Sequence, residues 1–332
     1  MLRAAISSTS RSVLRRSCAS NGTLVLLPAA AAASPSFFTP SPSIRRWTPQ
    51  QFSTSAASAG STAAAVPRVP QNASDAAERT LQRFWKSVSV QAHPAAPAPP
   101  PGAGELPAHY TIHLDKRALR TPSGNVMRIP IEQGLLAGLV AQEWHEQRTV
   151  LKPHALPLTS LVARSIDGLT SDSVRKGVCE GLMHYLDTDT ILFHEDEPHQ
   201  LVRLQDERWQ PLLDWTSSHF KTPITIYKSL FNTSQSPETR SVLLAHIQTM
   251  TPLRLAAFER AVLSSKSFLV ALGLLEGKLS VDDASRAAEV EVASQIERWG
   301  EVEDTHDVDY HDIRRQLGSV SIVLAPPADQ QL

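Results

Sequence analysis

The stretch VMRIPIEQGLLAGLVAQEW, residues 126–144, decides the fold class. Residues 126–130 read as a strand on the far side of a turn. From Ile131 the period changes: Leu135, Leu136, Leu139, Val140 and Trp144 recur three and four apart, the spacing of one helical face, after a proline at 130. Upstream, Tyr110-Thr111-Ile112-His113-Leu114 alternates with the period of two that a half-buried strand needs, and Asp115-Lys116-Arg117 supplies a turn. Residues 118–121 and 126–130 flank Pro122-Ser123-Gly124-Asn125, a strong turn signal. The first structured signal, residues 81–90, places Phe84, Val88 and Val90 among polar neighbours and reads as a strand. The Ala92–Pro107 segment, with six prolines, reads as a long connecting loop.

Downstream of 144 the run Leu151 to Pro157 interrupts the pattern and marks a domain boundary. The segments 158–169, 172–187, 198–220, 237–249, 252–275, 280–299 and 306–317 then read as helices, with a short strand from Val320 to Leu324 closing the chain. Strands followed by helices make the class α+β. Residues 79–157 form the β-rich N-terminal domain and 158–325 the helical domain.

The 332 residues carry a formal charge of −1, but that total averages two unlike parts. No acid precedes Asp75, while Arg3, Arg11, Arg15, Arg16, Arg45, Arg46 and Arg68 give the leader +7 and leave −8 for the rest. A leader rich in Arg, Ser and Ala and free of acids has the composition of a mitochondrial transit peptide. Residues 1–52 are assigned to it and 53–78 to a linker, which places the mature protein in the mitochondrial matrix. The acidic body argues against a nucleic-acid partner. No run approaches the roughly 20 apolar residues of a membrane span, so stable membrane insertion is not expected. Cys18 lies in the leader, so Cys179 is the one thiol of the mature chain. It sits in a helical apolar pattern and reads as a small core residue.

Catalytic motifs are missing. His194-Glu195-Asp196-Glu197-Pro198-His199 puts its second histidine at i+5 with a proline between, which does not bring two nitrogens to one zinc ion. His306, Asp307, Asp309, His311 and Asp312 lack the glycine and spacing of a calcium loop. Gly277-Lys278 is followed by Leu279, not Ser or Thr, and lacks the upstream glycine of a P-loop. No metal and no cofactor is expected. A binding protein needs only a shaped, partly apolar surface with charged rims. The competing reading is an uncharacterised matrix enzyme, hydrolase-like, with a site assembled from scattered His and Asp.

An ordered set of strings resembles one family, the mitochondrial F1-ATPase assembly chaperones that attend the alpha subunit. The strings are Arg83-Phe84-Trp85-Lys86, Thr121-Pro122-Ser123-Gly124-Asn125, Glu143-Trp144, Tyr185-Leu186-Asp187-Thr188-Asp189-Thr190, Trp209 with Pro211, and Trp299-Gly300-Glu301-Val302-Glu303 followed by His306-Asp307. The resemblance runs from about residue 80 to about residue 324, in consistent order. The resemblance implies a small antiparallel β-rich N-terminal domain followed by a C-terminal orthogonal helical bundle. It also implies a non-enzymatic role: binding unassembled alpha subunit in the matrix and shielding it from aggregation until the beta subunit replaces the chaperone. Three positions depart from the family pattern. Ala92–Pro107 resembles an insertion, Lys116 stands where a turn glycine is usual, and Asp282 stands where the family commonly has Glu.

Asp282 lies in the first turn of the segment 280–299, where a carboxylate also gains from the helix dipole. With Arg286, Glu289 and Trp144 it makes up the expected partner-binding set, on a protein expected to be a monomer. Trp299, Tyr185, Asp187 and Asp189 are assigned structural roles: Trp299 anchors its helix, and the others cap and turn the chain between helices. Asp282 to Asp312 holds eleven acids against Arg286 and Arg298. If that surplus steers a client, association should weaken with salt.

Overall fold

The computed structural model describes residues 82–95, 107–229, 231, 233–302 and 305–325. The segments assigned from the sequence to a transit peptide, 1–52, and a linker, 53–78, and residues 96–106 of the proline-rich loop lie outside the described residues. Strands β1 (Val88–His93), β2 (His109–Leu114), β3 (Arg117–Ala118) and β4 (Arg128–Pro130) form an antiparallel sheet in which β2 pairs with all three others. Register runs Val88 to Leu114 and His93 to His109 on one edge, and Tyr110 to Ile129 on the other. Alternation along β2 turns Ile112 and Leu114 into the core, together with Ile129.

The β1 strand begins seven residues later than the pattern at 81–90 suggested. The cause is local. Asp115, in the left-handed region at φ 55, accepts from the backbone N–H of Lys86 and of Ser87 at 3.0 and 2.8 Å and bends the chain there. That residue also explains how Lys116 replaces a turn glycine: the left-handed position falls on Asp115, a residue type that tolerates it. The Arg83 side chain, just upstream, donates to the carbonyls of Trp85, His145 and Gln147, and its backbone N–H to that of Thr149.

Helices follow in the order α1 (Gly134–His145), α2 (Pro157–Gly168), α3 (Asp172–Asp187), α4 (His199–Arg208), α5 (Gln210–Phe220), α6 (Pro237–Gln248), α7 (Pro252–Ser265), α8 (Phe268–Leu275), α9 (Val281–Ala288), α10 (Val290–Trp299) and α11 (Thr305–Leu324). Helix α1 lays Leu136, Ala137 and Val140 on the sheet. Leu135, counted on that face by spacing, is half exposed. The α7–α8 pair is the buried centre: all eight α8 residues are buried, and Phe258 meets Phe268 edge to face at 5.0 Å. A side chain at Gly273 would meet Leu212 Cδ1 at 2.7 Å, so α8 packs closely on α5 there and any larger residue would require the leucine to shift. One apolar core runs from Trp85 and the sheet through α1 to Val323. No helix among the described residues is long and apolar enough to cross a membrane.

Four expectations are corrected. The segment 252–275 breaks at Lys266, which takes a left-handed φ of 55, and Ser267 then caps α8 by accepting from the Val270 N–H. The segment 198–220 breaks at Trp209, where Pro211 cannot supply the N–H that a continuous helix requires. The segment 280–299 breaks at Glu289, which caps α9 at φ −105 and ψ 20. The expected strand from Val320 to Leu324 is the last turn and a half of α11, because Leu317, Val320 and Val323 sit three apart and are buried together. The segments 158–169, 172–187 and 237–249 match α2, α3 and α6 within a residue.

Candidate binding groove

Two of the quoted strings work as braces. Glu143, near the end of α1, accepts from the backbone N–H of Leu158 and Thr159 and from the Thr159 hydroxyl at 2.7, 2.8 and 2.6 Å. It thereby supplies the cap that α2 lacks, since Leu156 at its N-cap has no side-chain acceptor. Burial pushes the Glu143 carboxyl up, against those hydrogen bonds. Trp144 donates its indole N–H to the same Thr159 hydroxyl at 3.0 Å, and its ring lies 5.1 Å from that of Trp85. Replacing Glu143 with alanine orphans both backbone donors. The expected loss is about 1–2 kcal/mol of unfolding free energy in a urea titration. Glu143→Gln, which keeps one acceptor oxygen, should recover part of it.

Asp187 and Asp189 turn the chain after α3. Asp187 pairs with Arg240 and accepts from the Gln235 N–H. Asp189 is fully buried and accepts from the N–H of Ile191 at 3.2 Å and of Leu269 at 2.9 Å, so one carboxyl ties the turn after α3 to the first turn of α8. Burial pushes it up to about 7. Tyr185 packs partly buried against the core. Asp167 holds the 121–125 turn through the Thr121 hydroxyl, the Ser123 N–H and the Asn125 amide. Burial opposes its ionisation, but those bonds outweigh it and bring the carboxyl down to about 2.

The other predicted residues meet at a groove of about 810 Å³ between α10, α11 and the end of α7. Its apolar lining comes from Leu263, Val292, Ala293, Ile296, Tyr310 and Ile313. Leu263, Val292 and Tyr310 are exposed within it. Small residues bring α9 in close: Ala284 and Ala287 are buried, and the Ala287 carbonyl accepts the indole N–H of buried Trp209 at 2.7 Å.

One side chain organises the charges, and the sequence pattern did not single it out. Arg314, on α11, lies 3.4 Å from Asp282 Oδ1 and 3.1 Å from Glu289 Oε2, and its guanidinium stacks on the Tyr310 ring at 3.4 Å. Arg286 closes the network on Asp282 Oδ2 at 2.6 Å. So Asp282, Arg286 and Glu289 come together, and burial pushes the Glu289 carboxyl up. Arg314 Nε is a buried donor with no partner among the described residues. The available signal was an arginine four residues after a tyrosine in an acid-rich helix, a cation–π spacing. Arg208 reaches the same groove from α4, donating to the Arg286 carbonyl at 3.1 Å.

Two predicted residues stand apart. Trp144 is braced between α1 and α2 and lines a separate apolar hollow with Met127, Leu156 and Ala163. Trp299, expected to anchor its helix, is 70% exposed and touches the Arg298 guanidinium at 5.0 Å. It ends α10, where Gly300 at φ 88 turns the chain away before the ring can be covered. Ser280 caps α9, accepting from the Asp283 N–H at 3.1 Å while its hydroxyl donates to the Asp283 carboxylate at 2.7 Å.

Among the described residues, no three His, Cys, Asp or Glu side chains are placed to hold a metal. The His194 ring contacts the Ile191 carbonyl at 3.2 Å, and burial pulls its pKa down. Cys179 is buried.

Comparison with known proteins bears on this geometry. A family model described as ATP12 chaperone protein matches residues 82–217. The mitochondrial protein atp12 of Schizosaccharomyces pombe is 32% identical over 252 residues, covering 74% of this chain and 82% of that protein. The mitochondrial ATP12 of Saccharomyces cerevisiae is 31% identical over 287 residues, covering 74% and 84%. The crystal structure of Atp12 from Paracoccus denitrificans superposes with a TM-score of 0.62 at 25% identity, covering 74% of this chain and all of that one.

Proposed function

We propose, from the premise that this chain belongs to the ATP12 chaperone family, that it binds unassembled alpha subunit of the mitochondrial F1-ATPase. It holds that subunit in the matrix as a monomer and shields it from aggregation until the beta subunit replaces it. Membership in a chaperone family and the mitochondrial relatives support the general role. They do not favour the hydrolase-like alternative built on His194 and His199.

The observation that carries the reading is the groove beside α10. Its apolar lining is open at Leu263, Val292 and Tyr310, and it is rimmed by the Asp282–Arg286–Arg314–Glu289 network. An apolar floor with a charged rim is the anatomy of a non-obligate protein interface. In this reading the helical part, 158–325, carries the client contact. The β-rich part, 79–157, buttresses it, with Trp144 locking the first helix to the second.

Asp282→Lys tests the assignment. Asp282 is half exposed, so a lysine there is sterically free, yet it faces Arg286 and Arg314 and reverses the rim charge. Suppression of alpha-subunit aggregation should fall at least several-fold with the helical circular dichroism unchanged. Full protection by a folded variant would remove this rim from the client interface.

A further inference from the structure

Most charges around the groove are already matched. Arg286 and Arg314 share Asp282 and Glu289, and Asp312 pairs with Arg315. Glu301 and Asp309 are exposed, where water solvates a carboxylate without a partner. Arg208 is different. It is half-buried in the wall of the groove, and among the described residues it has no carboxylate partner. Its guanidinium donates to one neutral acceptor, the Arg286 carbonyl, at 3.1 Å.

Of the nearby carboxylates, Glu289 in the same groove is taken up by Arg314 at 3.1 Å. Glu207 and Glu297 both close on Arg203, at 3.0 and 2.7 Å, on the outer side of the α4–α10 contact. Arg286 adds repulsion, and burial together with that charge pulls the Arg208 pKa down. A guanidinium half-withdrawn from water and left with unused donors is costly, and a carboxylate is the planar acceptor that matches its fork.

We infer that the groove recognises an acidic amphipathic segment of its client, one in which apolar side chains fill the space over Val292, Ile296 and Tyr310 while an Asp or Glu carboxylate pairs with Arg208. This rests on the client reading above and gives it a chemistry.

The test is a peptide array of the whole alpha-subunit sequence, probed with the mature full-length chain at two salt concentrations. Wild-type protein should capture apolar peptides that carry Asp or Glu in preference to those that carry Lys or Arg. Arg208→Glu should lose about tenfold in affinity for them and shift its preference to basic peptides. Arg208→Lys should keep the acidic preference. Arg208→Gln retains an N–H donor for the Arg286 carbonyl, and should lose the preference even if Arg208→Glu fails to fold. Capture by wild-type protein with a preference for basic peptides, or an acidic preference that survives in a folded Arg208→Gln, overturns this inference and leaves the client reading standing. Wild-type protein that captures neither the peptides nor the intact alpha subunit overturns both.

Discussion

Asp189→Ala should destabilise the fold by about 2–6 kcal/mol near pH 5 and by progressively less toward pH 8. The loss arises because the Ile191 and Leu269 N–H groups are buried and have the Asp189 carboxyl as acceptor, and each orphaned donor costs about 1–3 kcal/mol. The pH dependence follows from linkage. Burial raises the folded-state pKa from the 3.8 of an ordinary aspartate to about 7. Between those values the native state holds a proton that the unfolded state has released, so stability falls as pH rises. The contribution is complete below about pH 4 and lost by about pH 7, a span of about 4 kcal/mol. Urea titrations of wild type and variant at intervals from pH 4 to 8 should therefore converge. Curves that stay parallel would mean that Asp189 does not change protonation on folding.

Trp209→Ala should cost about 3–5 kcal/mol, the usual loss for a large buried aromatic. Trp209 is 1% exposed and fills the junction of α4, α5 and α9. The substitution also removes the bond to the Ala287 carbonyl, which Trp209→Phe removes while keeping most of the ring. The phenylalanine variant should lose about 1–3 kcal/mol. Because Ala287 lies between Arg286 and the α9–α10 break, the loss should reach the groove as well. Guanidinium melts measure the first effect and alpha-subunit aggregation assays the second. A Trp209→Phe protein with wild-type stability would show that the indole bond contributes nothing net.

Periodicity carried most of the architecture. The switch from strand to helix at 130–134, and the helices at 158–169 and 172–187, were legible because their apolar spacing reports burial directly. The breaks at Glu289 and Lys266 were not. Glu289 and Lys266 are ordinary helix-forming residues, and what bends the chain there is tertiary: Trp209 bonding to Ala287 in one case, Asp189 drawing Leu269 in the other. The strand expected at Val320–Leu324 failed because a short apolar run has the same composition in a strand and in a buried helix end. At the groove, Asp282 was found from its place in the first turn and from the family resemblance, and Arg286 and Glu289 from the exposed face of the same amphipathic segment. Arg314, which joins them, sits 25 residues after Glu289, and a pairing across that gap leaves no local pattern. Trp299 shows the opposite error: an aromatic at the end of an apolar stripe, exposed because Gly300 turns the chain away before anything covers it.

The clasp of Arg83 by the carbonyls of Trp85, His145 and Gln147 bears on maturation. Gln82, bridged to Val150, and Arg83 are the first of the described residues, and the fold grips both. A protease that frees the chain upstream of Gln82 leaves every bond described above in place. Trimming that removes Arg83 would release the end of α1 and, through Trp85, the brace at Trp144. The fold thus sets its own limit on how far its leader can be cut back.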